Sequence, residues 1–151
     1  MQTAPFQPAG IDHVVLRVAD AARALAFYEN VLGCRLERHQ ENIGLWQLRA
    51  GASLVDLVNL DGAVGSRGGA APGKEGRNVD HVAIAIRPFE HEALRAHLAA
   101  HGVAIEGGSE ANYGAEGESP SVYIRDPDGN MIELMGRGRG EGRGVLQNES
   151  V

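Results

Sequence analysis

Apolar and polar positions divide the chain into short alternating runs and two stretches of helical spacing. Ile11-Asp-His-Val-Val-Leu-Arg-Val18 is β-branched and apolar enough for a strand, with Val14, Leu16 and Val18 on one face. Asp20 stands where a helix N-cap belongs. Leu25, Tyr28, Val31 and Leu32 then follow helical spacing up to Gly33, which suits a left-handed closing residue. Strands are predicted over residues 35–41, 45–50 and 53–60, with Ala50-Gly51 in a tight turn.

The same order then starts again. Val79-Asp-His-Val-Ala-Ile-Ala-Ile86 falls on residues 11–18, Gly102 falls on Gly33, and Met131-Ile-Glu-Leu-Met135 falls on Leu54-Val-Asp-Leu-Val58. The second helix is predicted over residues 88–101, with Pro88 in its first turn and Leu94 and Leu98 as its buried stripe. Asp126-Pro-Asp-Gly129 is a turn between the last two strands. The two copies drift apart within residues 107–120, where glycine and polar residues predict an enlarged loop. Two copies of strand, helix and three strands make an α+β fold. The expected organisation is an N-terminal extension (1–10), a first βαβββ module (11–60), a glycine-rich linker (61–78), a second module (79–136) and a disordered tail (137–151).

Composition narrows the partners. The 151 residues carry a net charge of −6 and form no basic block, which argues against nucleic acid or an anionic membrane surface. No apolar run reaches the roughly 18 residues of a membrane span. The first residues lack the basic start and apolar core of a signal peptide, so the expected location is cytoplasmic. Cys34 is the only cysteine, excludes an intrachain disulfide, and reads as a small buried residue after the helix end.

Strand parity isolates the candidate chemistry. With Val14, Leu16 and Val18 turned to the helix, His13 and Arg17 lie on the opposite face. Val82, Ile84 and Ile86 likewise leave His81 opposite. Ile132 and Leu134 leave Glu133 opposite, and Asp56 between Val55 and Leu57 behaves the same way. Two histidines and two carboxylates thus occupy the helix-free face at equivalent places in two copies. A carboxylate set among Leu and Val faces heavy desolvation, which a metal or a hydrogen-bonded cavity offsets. Imidazole and carboxylate together suit one divalent ion per site, Zn, Ni, Fe(II), Mn or Co, with positions left open for water or substrate. His97 and His101, spaced i, i+4 on the second helix, could also bind a metal, but with Leu94 and Leu98 defining the buried stripe they read as an exposed helix face.

Asp12-His13-Val-Val-Leu-Arg-Val18, Phe27-Tyr28-Glu-Asn-Val-Leu-Gly33, Asp80-His81-Val-Ala-Ile84 and Tyr123-Ile-Arg-Asp-Pro-Asp-Gly-Asn-Met-Ile-Glu133 resemble the vicinal oxygen chelate superfamily, which spans glyoxalase I, extradiol dioxygenases and bleomycin-resistance proteins. The resemblance covers about residues 10–136. It implies paired βαβββ modules whose curved mixed sheet encloses a metal cavity, with the helices on the outer face. It also implies that His13, His81 and Glu133 are metal ligands. Asp56 falls where glyoxalase I has a Glu and the related epimerase a Gln. Its shorter side chain leaves open direct binding, binding through water, or a three-ligand site.

Two chemistries fit that set, on a small-molecule substrate. In a glyoxalase-like lyase or isomerase the metal polarises a carbonyl, Glu133 moves the neighbouring proton, and Asp56 is its counterpart. Arg17 matches an arginine that holds the glutathione carboxylate in glyoxalase I, although Tyr113-Gly-Ala-Glu-Gly-Glu118 is acidic where a basic residue belongs. In an extradiol Fe(II) dioxygenase His13, His81 and Glu133 form the iron site, and Tyr123 has the spacing of a substrate-contacting tyrosine. The acid–base histidine of those enzymes is missing from the linker and from residues 107–120. A non-catalytic, bleomycin-resistance-like binding protein is the third reading. A homodimer is the expected assembly, because open sheet edges need covering.

Overall fold

The computed structural model describes residues 4–136. The tail expected to be disordered, residues 137–151, lies outside the described residues. The described residues form two compact units: 4–80 with 126–130, and 81–125 with 131–136.

In the first unit β1 (His13–Val18) leads into α1 (Ala21–Asn30), and β2 (Arg35–Gln40), β3 (Leu45–Ala50) and β4 (Ser53–Asn59) follow. The sheet order is β1-β4-β3-β2, parallel between β1 and β4 and antiparallel elsewhere. Asp20 caps α1 as predicted, its carboxylate accepting from the Arg23 N–H at 3.0 Å. Gly33 takes the left-handed position, φ +67°. The core beneath α1 combines Ala24, Phe27 and Tyr28 with Leu16, Val18, Leu48, Val55 and Leu57, all buried. β2 stops one residue earlier than expected because Glu41–Ile43 turns into a 3-10 helix closed by left-handed Gly44. Cys34 is buried as predicted, and burial pushes its thiol up to about 11.

The linker folds back on this unit. Gly65–Gly68 is a 3-10 turn, and a side chain at Gly65 would place its first carbon 1.9 Å from the Asn59 carbonyl, so only glycine fits. The Asp126–Asn130 turn, which joins the last two strands in sequence, also belongs to this unit. Asp126 accepts from the Tyr28 hydroxyl at 3.0 Å, from the Asn130 side chain at 2.8 Å, and from the backbone N–H of Asp128 and Asn130. Ala19 donates its N–H to Asp128 at 2.8 Å.

The second unit repeats the plan: β5 (His81–Ile86), α2 (His91–Ala100), β6 (Gly107–Gly114), β7 (Gly117–Arg125) and β8 (Met131–Gly136), in the order β5-β8-β7-β6. β5 and β8 are parallel and the other pairs antiparallel. Two expectations change here. The helix begins at His91 rather than 88, because Glu90 is still extended at φ −123°, ψ 109°, and Pro88 lies before it after a cis peptide. The predicted loop over 107–120 is instead a long hairpin of β6 and β7. Cross-strand bonds hold Gly-Gly-Ser-Glu-Ala-Asn-Tyr-Gly extended despite its turn-like composition, with an irregularity between Ser109 and Asn112. Leu98 is fully buried under α2, whereas Leu94 is only half-buried. The result is two βαβββ modules, each with its own four-stranded mixed sheet.

Candidate metal centre

Each module places one histidine and one carboxylate by the same register. In the first, His13 on β1 lies beside Leu54 of β4 and Val15 beside Asp56, so the imidazole and the carboxylate share a face two residues apart. Asp56 is buried at 2% exposure. Its Oδ2 accepts from Gln47 Nε2 at 3.1 Å, and Gln47 is its direct cross-strand neighbour on β3. Its Oδ1 is buried and has no hydrogen-bond partner among the described residues. Burial raises the Asp56 pKa, offset in part by the Gln47 hydrogen bond and the His13 charge. His13 is exposed, and its Nδ1 lies 2.6 Å from Asp12 Oδ1. That hydrogen bond, with the charge of Asp56, raises the imidazole pKa. It also leaves Nε2 as the nitrogen free to coordinate, the orientation that carboxylates impose on metal-binding histidines.

In the second module Ala83 pairs with Glu133 as Val15 pairs with Asp56. Glu133 is buried at 5% exposure, and its Oε2 lies 3.4 Å from His81 Nε2. Its Oε1 accepts from the Tyr123 hydroxyl at 3.0 Å and from Asn112 Nδ2 at 2.8 Å. Tyr123 is the direct cross-strand neighbour of Glu133, the place Gln47 holds beside Asp56. The rings of His81 and Tyr123 meet edge to face, with centroids 6.0 Å apart. Burial works against the Glu133 charge, but hydrogen bonds from Asn112, Ser121 and Tyr123 and the nearby His81 outweigh it and lower its pKa. One carboxylate is thus held firmly ionised, while the other is half-satisfied.

Residues 10–134 match the family model of the Glyoxalase/Bleomycin resistance protein/Dioxygenase superfamily. The chain belongs to that superfamily. It is 34% identical over 128 residues to Virulence protein STM3117 of Salmonella typhimurium, covering 82% of this chain and 81% of that protein. It is 28% identical over 142 residues to Lactoylglutathione lyase of the same organism, covering 88% and 96%. Among solved structures, an integron cassette protein from the mobile metagenome of V. Cholerae superposes with a TM-score of 0.67 at 29% identity, covering 87% of this chain and 97% of that one.

Within this superfamily chain the described residues hold no group of three or more His, Cys, Asp or Glu side chains gathered as a preformed metal cluster. The predicted ligands come as two pairs, His13 with Asp56 and His81 with Glu133. Arg17 sits on the His13 face, yet its guanidinium donates to the backbone carbonyls of Gly69 at 3.2 Å and Ala70 at 3.1 Å. It lines a groove of about 680 Å³ with Lys74 and Arg77. No helix is long and apolar enough to cross a membrane among the described residues.

Sequence reasoning missed Asp12, Gln47, Asn112 and Ser121. Gln47 was within reach, because the repeat that aligns Asp56 with Glu133 also aligns β3 with β7 and so Gln47 with Tyr123. Ser121 follows from parity with Tyr123. Asn112 had no such signal, since it stands on a strand whose composition reads as loop. Its amide lies 2.9 Å from Ser121 Oγ, 2.9 Å from Tyr123 Oη and 2.8 Å from Glu133 Oε1. An amide carries only two hydrogens, so these three acceptors share them.

Proposed function

We propose that this superfamily member is a divalent-metal-dependent, glyoxalase-like lyase or isomerase, with His13, Asp56, His81 and Glu133 as the metal ligands. The observation that carries the reading is the unpartnered, buried Oδ1 of Asp56, repeat-equivalent to a glutamate facing a histidine. A buried carboxylate oxygen without a donor costs a few kcal/mol, and a cation is the partner that removes the cost. Two imidazoles and two carboxylate oxygens suit Zn, Ni, Fe(II), Mn or Co.

A divalent ion held there would supply Lewis-acid polarisation of a substrate carbonyl or thiol adduct. The chain itself does the rest. Tyr123 and Asn112 fix Oε1 of Glu133, so Oε2, which faces His81, is the oxygen that would meet the ion and, when not bound to it, would take the proton from the carbon beside the carbonyl. Glu133 can hand the same proton to the neighbouring carbon, and Asp56 is its counterpart as base for a proton on the other face of the substrate. The similarity to a lactoylglutathione lyase supports this class of small-molecule substrate. The acidic Glu116 and Glu118 speak for a thiol adduct other than glutathione. We read the working assembly as a cytoplasmic homodimer.

Metal analysis of the purified protein is expected to give about one tightly held ion per chain, lost in Glu133→Ala. Glu133→Gln should lower solvent-deuterium exchange next to the carbonyl of thiol-adduct substrates by about 10²–10⁴-fold. Metal content unchanged in Glu133→Ala would overturn the reading. The Tyr123 hydroxyl beside Glu133 favours one competitor, an extradiol Fe(II) dioxygenase. That enzyme would consume O₂ with catechols when loaded with iron, and Tyr123→Phe would slow it sharply.

A further inference from the structure

Outside the two His–carboxylate pairs, the most organised set of potential ligands is at the end of α2. His97 and His101 are one turn apart, a spacing that brings their Cβ atoms to within about 5–6 Å. Both are exposed, and their rings lie with centroids 4.5 Å apart at 50° to one another. The separation is informative. Metal–nitrogen bonds to imidazole are about 2.0–2.1 Å, and a ring nitrogen is about 1.2 Å from its centroid, so two rings on one ion at a right angle have centroids about 4.5 Å apart. The centroid separation of the pair matches that value.

The neutral tautomer of one partner follows from its contact. His101 Nδ1 is 2.9 Å from the His97 carbonyl oxygen. A carbonyl only accepts, so Nδ1 carries the hydrogen and Nε2 keeps the lone pair that a metal needs. This imidazole-to-backbone bond is the kind of support found behind metal-binding histidines.

The turn that carries the pair is also fixed. Val103 N–H bonds to the Leu98 carbonyl at 2.9 Å and Gly102 N–H to the Ala99 carbonyl at 3.0 Å, with Gly102 left-handed at φ +67°. This is a complete Schellman closure, with His101 as the C-cap residue. Leu98, next to His97, is 1% exposed and anchors the last turn by its burial. The backbone is thus held in place, and only the side-chain rotamers of the two histidines are left to order when an ion binds.

We propose that His97 and His101 form a two-imidazole chelate for a divalent transition-metal ion on the solvent face of α2, separate from the candidate metal centre. Two protein nitrogens leave the other coordination positions to water, so the site is the weaker of the two and takes Cu²⁺ in preference to Ni²⁺ or Zn²⁺. The two histidines stand on an exposed helix face, as the sequence predicts, and the proposal adds a ligand to that face.

The test titrates full-length protein with Cu²⁺ alone and follows stoichiometry by calorimetry and nitrogen coordination by electron paramagnetic resonance. Four proteins are compared: wild type, His97→Gln, His101→Gln and His81→Ala. The wild type and His81→Ala should both show a weak Cu²⁺ equivalent with two-nitrogen coordination. His97→Gln should lose it by more than 10-fold in affinity, and so should His101→Gln. Exposed glutamines preserve the fold, which circular dichroism checks. Retention of the weak equivalent in both helix variants would overturn the proposal. Loss of the tight ion in His81→Ala with the weak one intact would bear on the candidate metal centre only.

Discussion

Asn112 is the residue whose contribution is largest relative to how little it advertises in the chain. Its amide bridges Ser121, Tyr123 and Glu133, so it sets the direction in which Glu133 presents its second oxygen. Asn112→Ala should weaken metal binding by about 10–100-fold, as expected when a ligand's support is removed, and cost about 1–2 kcal/mol in stability. Chelator competition and denaturant melts measure the two effects. Loss of stability with unchanged metal affinity would reduce Asn112 to a packing residue. Parity placed His13, Asp56, His81 and Glu133 on their faces from the sequence, because period-two alternation needs only near neighbours. The donors to those carboxylates were harder to read. Gln47 and Asn112 act across strands, and a cross-strand register is not written in any one segment; the repeat carries it for Gln47, at the place equivalent to Tyr123, and nothing carries it for Asn112.

At the level of elements, strongly patterned segments declared themselves. Asp20 and the left-handed Gly33 are local signals, and each sits where it was predicted. Of the predicted stripe only Tyr28 is buried: the helix ends at Asn30, before Val31 and Leu32, and its buried face is completed by Ala21, Ala24 and Phe27. Asp20→Ala should cost about 1 kcal/mol by removing the acceptor for the Arg23 N–H, and Asp20→Asn should cost little. Thermal melts of the two variants make the comparison, and equal losses would mean that the carboxylate's charge, not its capping bond, matters. β6 failed to declare itself for the opposite reason. Four of its eight residues are glycine or serine, and what makes it a strand is pairing with β7 from Gly107 to Gly114. The start of α2 was misplaced because Pro88 suits a first helical turn and equally an extended approach to one, and the extended Glu90 decides between them.

For the whole molecule, each sheet has two edge strands, β1 and β2 in one unit and β5 and β6 in the other. Ile11 and Val15 beside the first edge and Tyr113 on the last are exposed. Such edges are ordinarily covered, and a symmetric homodimer is the expected assembly. Light scattering at tens of micromolar (a working range of about 10⁻⁵ M) should report twice the 16.0 kDa chain mass, and a monomer would count against it. Tyr28 offers a second measurement at this scale. Its buried hydroxyl donates to Asp126, so Tyr28→Phe should lower the stability of the first unit by about 1–2 kcal/mol while leaving metal affinity unchanged. Asp126 reaches Tyr28 from 98 residues further along the chain. The first unit therefore cannot be finished when its own repeat leaves the ribosome. It waits for a turn encoded near the far end, and a gene cut within the linker would yield an N-terminal fragment carrying a buried phenol with no acceptor.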